Sequence, residues 1–364
     1  MAQPTIGHLD PVFVALMDEI KDLLRYAFQT SNALTFAVSG PGSAGMEMCF
    51  VNLLEPGDEA IVCINGVFGT RMKENVERCG GTAIVVDDAW GEPIDVDRVA
   101  AALKQHPKTK LVAFVHAETS TGVQSDALTL CKLAQAHGAL SVVDTVTGLG
   151  GIPVAVDQWG ADAVYSGTQK CLSVPPGLSP VTFSDRAVAA VRARRTKVQS
   201  WFLDLSLVMA YWVGDGARSY HHTAPVNALY GLREGLLMLR EEGLESAWTR
   251  HARMGSALAA GITAMGLGLQ VDDAYRLPQL TVVRSPEGID EAAIRRDLLK
   301  NYDLEIGGAL GAWAGKAWRI GLMGQSATPR HVLTCLSALE SGLIAAGAKA
   351  SAGAAVSAAR AALA

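Results

Sequence analysis

Short apolar runs alternate with amphipathic helical patterns in the first half of this chain, and no other feature constrains the fold as strongly. The runs typical of strands are residues 33–38, 59–64, 82–86, 110–115, 140–144 and 162–166. The helical patterns between them are residues 43–54, 67–79, 95–105 and 125–137. This alternation predicts an α/β fold with a mainly parallel sheet flanked by helices. Such sheets bind ligands at the carboxyl ends of their strands.

The pattern changes near residue 228 and predicts a second, smaller unit. Long helical patterns alternate there with two short apolar runs, as expected for a small α+β domain. These segments are residues 232–242, 244–265, 279–284, 290–300, 316–322 and 328–346. We therefore expect a large domain at 1–240, a small C-terminal domain at 241–346 and an Ala-rich tail at 347–364. For the tail, a loosely attached helix and a frayed end are both open.

Composition excludes several classes of partner. A net charge of −5, from 31 basic and 36 acidic side chains, gives no basic excess, so we expect no nucleic-acid binding. The longest charge-free run, residues 26–46, contains polar side chains and a Pro-Gly pair, so we expect no membrane span. No signal peptide is visible, and six widely spaced cysteines indicate reduced thiols in a cytoplasmic protein.

Two strand ends carry reactive side chains. Lys170 follows the run 162–166 after a stretch of small and hydroxylated residues, and Asp144 ends the run 140–144. The gap of 26 residues fits one crossover between two strands, so both groups could face one ligand at the same sheet edge. The alternatives are an ordinary exposed lysine and an aspartate that caps a helix.

A glycine-rich turn, Ser39-Gly-Pro-Gly-Ser-Ala-Gly45, lies between the first strand and its helix and could hold a phosphate. A lysine, a strand-end carboxylate and a phosphate site together suit pyridoxal 5′-phosphate (PLP). The lysine would form a Schiff base with the cofactor aldehyde, and the carboxylate would keep the pyridine nitrogen protonated. Phe68 follows another strand and is available to stack on the ring, although it could equally be a core residue.

Several longer motifs occur in a characteristic order across most of the chain. They are Met17-Asp-Glu-Ile-Lys21, Val51-Asn-Leu-Leu-Glu-Pro-Gly-Asp58, Ser120-Thr-Gly122, Pro175-Pro-Gly177, Tyr220-His-His-Thr223, Leu232-Arg-Glu234 and Arg319-Ile-Gly-Leu322. With these motifs the chain resembles the alanine–glyoxylate and serine–pyruvate (serine–glyoxylate) aminotransferases. That family consists of class V, PLP-dependent enzymes of fold type I.

The resemblance implies roles for residues around the cofactor ring. Lys170 would be the Schiff-base lysine and proton carrier, and Asp144 would pair with the pyridinium. Phe68 would stack on the ring, in a position where tryptophan is usual, and Thr119 would bond near the ring hydroxyl. Arg319 would clamp the substrate carboxylate, a task that suits a planar guanidinium.

The resemblance also implies which residues hold the cofactor phosphate. Gly42, Ser43 and Gln169 would bind it within one chain. Tyr220 and Thr223 would reach it from the second subunit of a homodimer whose active sites are shared between subunits.

The implied reaction is a ping-pong transfer of an amino group from a small amino acid, alanine or serine, to glyoxylate or pyruvate. Family members usually have a Gly-Pro-Gly-Pro segment before the first long helix, and this sequence starts after it. We therefore expect a cost in activity or dimer stability, and an N-terminally truncated, weakly active or non-catalytic homologue is one alternative.

Two other activities are less consistent with the sequence than transamination. A cysteine desulfurase needs a thiol on a mobile loop, whereas Cys335 lies in a helical apolar pattern. A nicotinamide-dependent oxidoreductase is least favoured, because no dinucleotide fingerprint follows a strand. The pair His221-His222, and His116 with Glu118, lack further partners at a recognised ligand spacing, so we expect no metal site.

Overall fold

A computed structural model describes residues 3–212 and 218–364, and a seven-stranded sheet is its central element. In chain order, the strands are β1 (Leu34–Ser39), β2 (Glu59–Ile64), β3 (Thr82–Asp87), β4 (Thr109–Val115), β5 (Ala117–Glu118), β6 (Val123–Gln124), β7 (Leu140–Asp144), β8 (Ala163–Tyr165), β9 (Leu178–Phe183), β10 (Leu280–Arg284), β11 (Gly307–Gly308) and β12 (Ala317–Gly321). The large sheet has the order β1-β9-β8-β7-β4-β2-β3. Only β9 runs antiparallel to its neighbours, so the predicted mainly parallel sheet is confirmed.

Helices cover this sheet, and those predicted between its strands begin and end within two residues of the predicted positions. The helices are α1 (Pro11–Phe28), α2 (Gly42–Leu53), α3 (Val67–Arg78), α4 (Val96–Gln105), α5 (Ala127–His137), α6 (Val156–Trp159), α7 (Asp185–Arg192), α8 (Leu205–Trp212), α9 (Val226–Glu242), α10 (Leu244–Ala264), α11 (Glu291–Tyr302), α12 (Pro329–Ala345) and α13 (Ala354–Leu363). Strands β4 and β7 are almost wholly buried, as expected for parallel strands packed on both faces.

The sequence pattern missed strand β9, which lies between β1 and β8. Its segment contains Pro180, and proline argues against a central strand because it cannot donate a ladder hydrogen bond. The carbonyl of Pro180 still accepts a 2.8 Å hydrogen bond from the Ser166 N–H. The strand is tolerated because its remaining backbone groups pair on both sides, and its side chains are buried.

The C-terminal part builds a second hydrophobic core around the antiparallel sheet β10-β12-β11. Helix α10 reaches both cores, because Ala247 belongs to the first cluster and Met254 to the second. Our domain boundary near residue 240 remains a prediction.

The Ala-rich tail forms helix α13, and neither a frayed end nor a loose helix describes it. Ala355 and Ala359 are fully buried in the second core. The Glu340 carboxylate accepts hydrogen bonds of 2.6 and 2.9 Å from the N–H groups of Gly353 and Ala355, which fixes the start of the helix. The sequence pattern did not indicate this packing, because each alanine buries little area. Small side chains nevertheless let two helices approach closely.

No helix in the described ranges is both long and apolar enough to cross a membrane.

Candidate active site

Asp144 stands at the carboxyl end of β7 and is almost completely buried. Its Oδ2 accepts a 2.7 Å hydrogen bond from the Tyr165 hydroxyl, and its Oδ1 accepts a 2.8 Å bond from the Val146 N–H. Burial raises the pKa of Asp144 to about 7, and these two hydrogen bonds oppose that rise. The site therefore contains a carboxyl group that is poised between its two protonation states near neutral pH.

Lys170 lies in the turn after β8 and is half-buried. Burial lowers the pKa of the Lys170 ammonium, and the nearby positive charge of Arg319 lowers it further. The negative charge of Asp144 acts in the opposite direction, so the three groups interact electrostatically. A lysine with a lowered pKa has a larger neutral fraction, which a nucleophile or a proton acceptor needs.

Arg319 comes from β12, in the smaller sheet, and is fixed by backbone carbonyls. Its Nε donates a 2.9 Å hydrogen bond to the Gly308 carbonyl and its Nη1 a 3.2 Å bond to the Thr119 carbonyl. Burial lowers the pKa of this guanidinium, and the negative charge of Glu118 opposes that effect. These two hydrogen bonds hold the guanidinium in one orientation and therefore also orient its other N–H groups.

Thr119 is also buried, and its hydroxyl forms a very short hydrogen bond with that of Thr147. Its backbone contact with Arg319 brings a residue from the β5 end beside a residue from the small sheet. The structure thus brings Thr119, Arg319, Lys170 and Asp144 into one region.

The turn before α2 meets the ends of β7 and β8. A Cβ on Gly42 would lie 3.2 Å from Val146 Cγ2 and 3.5 Å from the Ser166 carbonyl, so glycine permits this close approach. Pro41 precedes α2 and makes no side-chain capping hydrogen bond, so no side chain of this cap occupies the first N–H groups of the helix. The exposed side chain of Ser43 lies in the same turn. A helix start of this kind attracts phosphate.

Gln169 is exposed, immediately before Lys170, and its Oε1 would lie 2.9 Å from a Cβ placed on Gly167. Phe68 lies in the first turn of α3, half-buried against the main core, with the Arg71 guanidinium 4.8 Å from its ring centroid. Phe68 therefore packs partly against the core. This contact agrees with the alternative expectation that Phe68 is a packing residue.

Tyr220 and Thr223 flank His222, whose Nε2 lies 2.7 Å from the Ser39 hydroxyl at the start of the glycine-rich turn. Their hydroxyls lie 3.3 Å apart, and the Tyr220 ring, which is 62% exposed, is 5.1 Å from that of His8. His221 and His222 bond to each other through their Nδ1 atoms at 2.8 Å. Within residues 3–212 and 218–364, no group of three potential metal ligands comes together.

A family model described as aminotransferase class-V matches residues 3–309. The chain belongs to the class-V aminotransferases. It is 39% identical to (S)-ureidoglycine–glyoxylate transaminase of Bacillus subtilis, covering 94% of this chain and 86% of that one. It is 41% identical to alanine–glyoxylate aminotransferase of Callithrix jacchus, covering 93% and 82%. The crystal structure of the Bacillus subtilis ureidoglycine–glyoxylate aminotransferase superimposes with a TM-score of 0.97, covering 99% of this chain and 92% of that one.

Class-V aminotransferases are PLP-dependent, and the residues of this aminotransferase fit that cofactor. The start of α2, which has no side-chain cap, suits its phosphate. A pyridine nitrogen needs a carboxyl partner and an aldehyde needs an amine, and the site contains the buried Asp144 carboxyl and the Lys170 amine of lowered pKa. The site therefore offers one suitable group for each of the phosphate, the pyridine nitrogen and the aldehyde of PLP.

Two residues of this aminotransferase site were not predicted to act there. The sequence pattern assigns Tyr165 only to a strand, although its place beside a strand-end carboxylate could indicate a partner. The sequence offers Glu118 only as a metal ligand. Its fully buried carboxylate accepts hydrogen bonds from the Ser120 N–H and hydroxyl, at 2.9 and 2.5 Å, and from the Phe68 N–H at 3.2 Å.

The structure argues against a cysteine desulfurase. Cys335 lies inside α12 and is only 3% exposed, and burial raises the pKa of its thiol to about 12. The other five cysteines are buried as well. A thiol in a helix core lacks the mobility and the thiolate character that desulfuration requires.

Proposed function

We propose that this aminotransferase moves the amino group of a small amino acid, alanine or serine, to glyoxylate or pyruvate, with PLP attached as a Schiff base to Lys170. One observation carries the proposal: a half-buried lysine of lowered pKa interacts with both a buried carboxylate, Asp144, and a fixed guanidinium, Arg319. The names of the relatives support glyoxylate as the amino acceptor.

The chain's own residues divide the chemical work. Arg319 binds the substrate carboxylate through the N–H donors that its backbone contacts leave free, which orients the α-carbon. The neutral Lys170 amine takes the α-proton and later returns it. Asp144 holds the proton on the ring nitrogen. Bound PLP supplies the electron sink that makes the α-proton acidic.

(S)-Ureidoglycine is a second candidate donor. The structural match to the Bacillus subtilis ureidoglycine–glyoxylate aminotransferase extends over almost the whole chain. Sequence identity to that enzyme and to alanine–glyoxylate aminotransferase is nearly equal, so it does not rank the donors.

The half-reaction tests both parts of the proposal. Purified holoenzyme is mixed with alanine, serine or ureidoglycine without an acceptor, and its near-visible absorption is recorded. We expect the cofactor band to move to that of the pyridoxamine form, fastest with the physiological donor. No shift with any of the three would contradict the proposed substrate class.

Substitution of the lysine tests its role directly. Lys170→Ala should abolish the shift and turnover, because it removes the amine that is proposed to exchange the proton. Lys108→Ala, which changes an exposed lysine before β4, should leave both unchanged. A Lys170→Ala variant that still turns over would end the assignment.

We further propose a homodimer in which Tyr220 and Thr223 of each subunit reach the phosphate of the other. An exposed aromatic surface supports a protein partner there: Trp201 is 64% exposed beside Phe202, and both rings contact His221. Large exposed aromatic patches are typical of interfaces.

We propose that the enzyme works in a reducing compartment such as the cytoplasm. All six cysteines are free and buried, which is typical of proteins that never meet an oxidising environment. Thiol titration of the denatured protein, isolated without added reductant, should find every cysteine reduced.

A further inference from the structure

Tyr165 ends strand β8 and is fully buried. Strands β7 and β8 are parallel neighbours, and their register pairs Tyr165 directly with Asp144. The phenol hydroxyl donates its 2.7 Å hydrogen bond to Oδ2 of that carboxylate. Because the backbone pairing of the two strands sets this geometry, the hydroxyl is held beside the carboxylate.

The surroundings of Asp144 show why one hydroxyl matters. The Glu118 charge, from β5, disfavours a second negative charge there, whereas the Lys170 charge favours it. The Cys49 thiol, from α2, also interacts with Asp144 and is fully buried. Among the residues that the structure describes, two donors hold the carboxylate, the Val146 backbone and Tyr165, and only the second belongs to a side chain.

Tyr165 itself stays a donor throughout the physiological range. Burial raises the pKa of its phenol well above the usual value, and the Asp144 charge raises it further. The phenol therefore remains neutral and can donate its hydrogen bond to Oδ2 at every physiological pH. Glu118 takes its hydrogen bonds from Ser120 and the α3 start instead, so the two buried carboxylates use separate donors.

We propose that Tyr165 is a positioning residue that keeps Asp144 ionised and thereby keeps the shared proton on the ring nitrogen of the cofactor. A carboxylate that accepts a hydrogen bond binds a proton less tightly. Without the phenol, the Asp144 carboxylate would bind a proton more tightly, and a bound cofactor ring would keep its nitrogen proton less firmly and accept electrons less readily. The inference rests on the proposed pairing of Asp144 with that nitrogen.

Tyr165→Phe tests it, because the change removes the hydroxyl and keeps the ring. The matched control is Tyr26→Phe, which removes a phenol that accepts a 3.3 Å hydrogen bond from the Leu244 N–H between α1 and α10. Each apoprotein is reconstituted with PLP labelled with ¹⁵N in the ring, and the nitrogen chemical shift is measured at neutral pH. Apoprotein melting temperatures and half-reaction rates are recorded beside it.

We expect the wild type and Tyr26→Phe to show a protonated ring nitrogen. In Tyr165→Phe the signal should move toward the unprotonated position, with the rate of the alanine half-reaction reduced about tenfold, the equivalent of one pKa unit. An unchanged nitrogen signal in Tyr165→Phe would overturn the inference, even if the rate fell, since a purely structural role predicts that result.

Two further variants keep the test decisive. If Tyr165→Phe does not fold, Tyr165→4-aminophenylalanine keeps the shape with a weaker donor and should shift the nitrogen signal in the same direction. Asp144→Asn examines the proposed pairing itself and should give an unprotonated nitrogen. A protonated signal in Asp144→Asn would reject that pairing, and the role of Tyr165 with it, while the transaminase assignment of Lys170 would stand.

Discussion

At the scale of single residues, the site combines groups that are costly to bury. Asp144 is 2% exposed and has two hydrogen-bond donors, so its charged form loses hydration that these donors only partly replace. The buried charge therefore destabilises the folded apoprotein, at a position where a bound cofactor would use it. This trade between stability and function is common at active sites, and here it depends on pH.

Asp144→Asn should reveal that cost in the apoprotein. With a pKa of about 7 in the folded state against about 3.9 in the unfolded state, the folded carboxyl holds a proton that the unfolded one has lost between these values. The wild type therefore loses stability as pH rises from 4 through 7. The neutral amide does not, so above pH 8 the variant should be more stable by up to about 4 kcal/mol.

Chemical unfolding of both apoproteins at pH 4.5 and 8.5 measures this difference. The two should have similar free energies of unfolding at the lower pH and diverge at the higher one. Parallel pH dependences would show that the folded carboxyl titrates in its ordinary range. The holoenzyme should respond in the opposite sense, because the amide cannot pair with a pyridinium.

At the scale of elements, the start of α3 joins two parts of the site. The Ser120 hydroxyl accepts a 2.9 Å hydrogen bond from the Val67 N–H, and Glu118 accepts one from the Phe68 N–H. The segment that carries Thr119 thus caps the helix that carries Phe68. Gly66 lies against this contact, and a Cβ there would stand 2.5 Å from the Glu118 side chain.

Gly66→Ala should separate these two segments. The added methyl group collides with a carboxylate held by several hydrogen bonds, so the free energy of unfolding should fall by about 1–3 kcal/mol. Cofactor affinity should fall as well, because Phe68 moves. Gly268→Ala is the control, since a Cβ at that position meets nothing within 4 Å. Equal stabilities and cofactor affinities for the two variants would contradict the cap.

The C-terminal helix α13 offers a second prediction at this scale. Ala359 is fully buried, whereas Ala361, two residues later, is exposed. Ala359→Asp places a charge in the second core and should lower the free energy of unfolding by about 2–4 kcal/mol. Ala361→Asp places the same charge near the same end of α13, but at an exposed position. It should change the free energy of unfolding by less than about 0.5 kcal/mol. Similar melting curves for the two variants would mean that α13 does not dock.

At the scale of the whole molecule, the proposed dimer divides each active site between two chains. Tyr220 and Thr223 contact each other, and Tyr220 contacts His8 within its own chain. In the proposed dimer they serve the phosphate of the partner subunit, as the family resemblance implies. Such shared sites can be tested by mixing two inactive variants, because only a mixed dimer could regain activity.

Mixing two inactive variants should restore activity. One carries Lys170→Ala and the other carries Tyr220→Ala with Thr223→Ala. After unfolding and joint refolding, a mixed dimer has one site with Lys170 from one chain and both hydroxyls from the other. We expect up to about a quarter of wild-type activity from random pairing and single-site function, because half of the dimers are mixed and each has one intact site of two. Activity no higher than that of the separately refolded variants would place these residues in the same chain's site.

Local periodicity in the sequence was sufficient to predict the helices α2 to α5, six of the seven strands in the large sheet and the two strand ends that carry Asp144 and Lys170. The short helices α6, α7 and α8 were not predicted. The roles of the site residues remain predictions. Periodicity and turn residues act over a few positions, which is why they could be recognised without coordinates. Pro180 shows the limit of such signals, since only its neighbours on both sides make that segment a strand.

Tertiary structure decided which distant groups share the site. Arg319 meets the Thr119 carbonyl across 200 positions of sequence, and Tyr165 reaches Asp144 only because β7 and β8 are neighbours. The depth at which Asp144 is buried, which sets the pKa of its carboxyl, also depends on packing from several elements. Sequence therefore determined the local elements and the kinds of reactive group, while burial and contact between remote strands determined their charge and their partners.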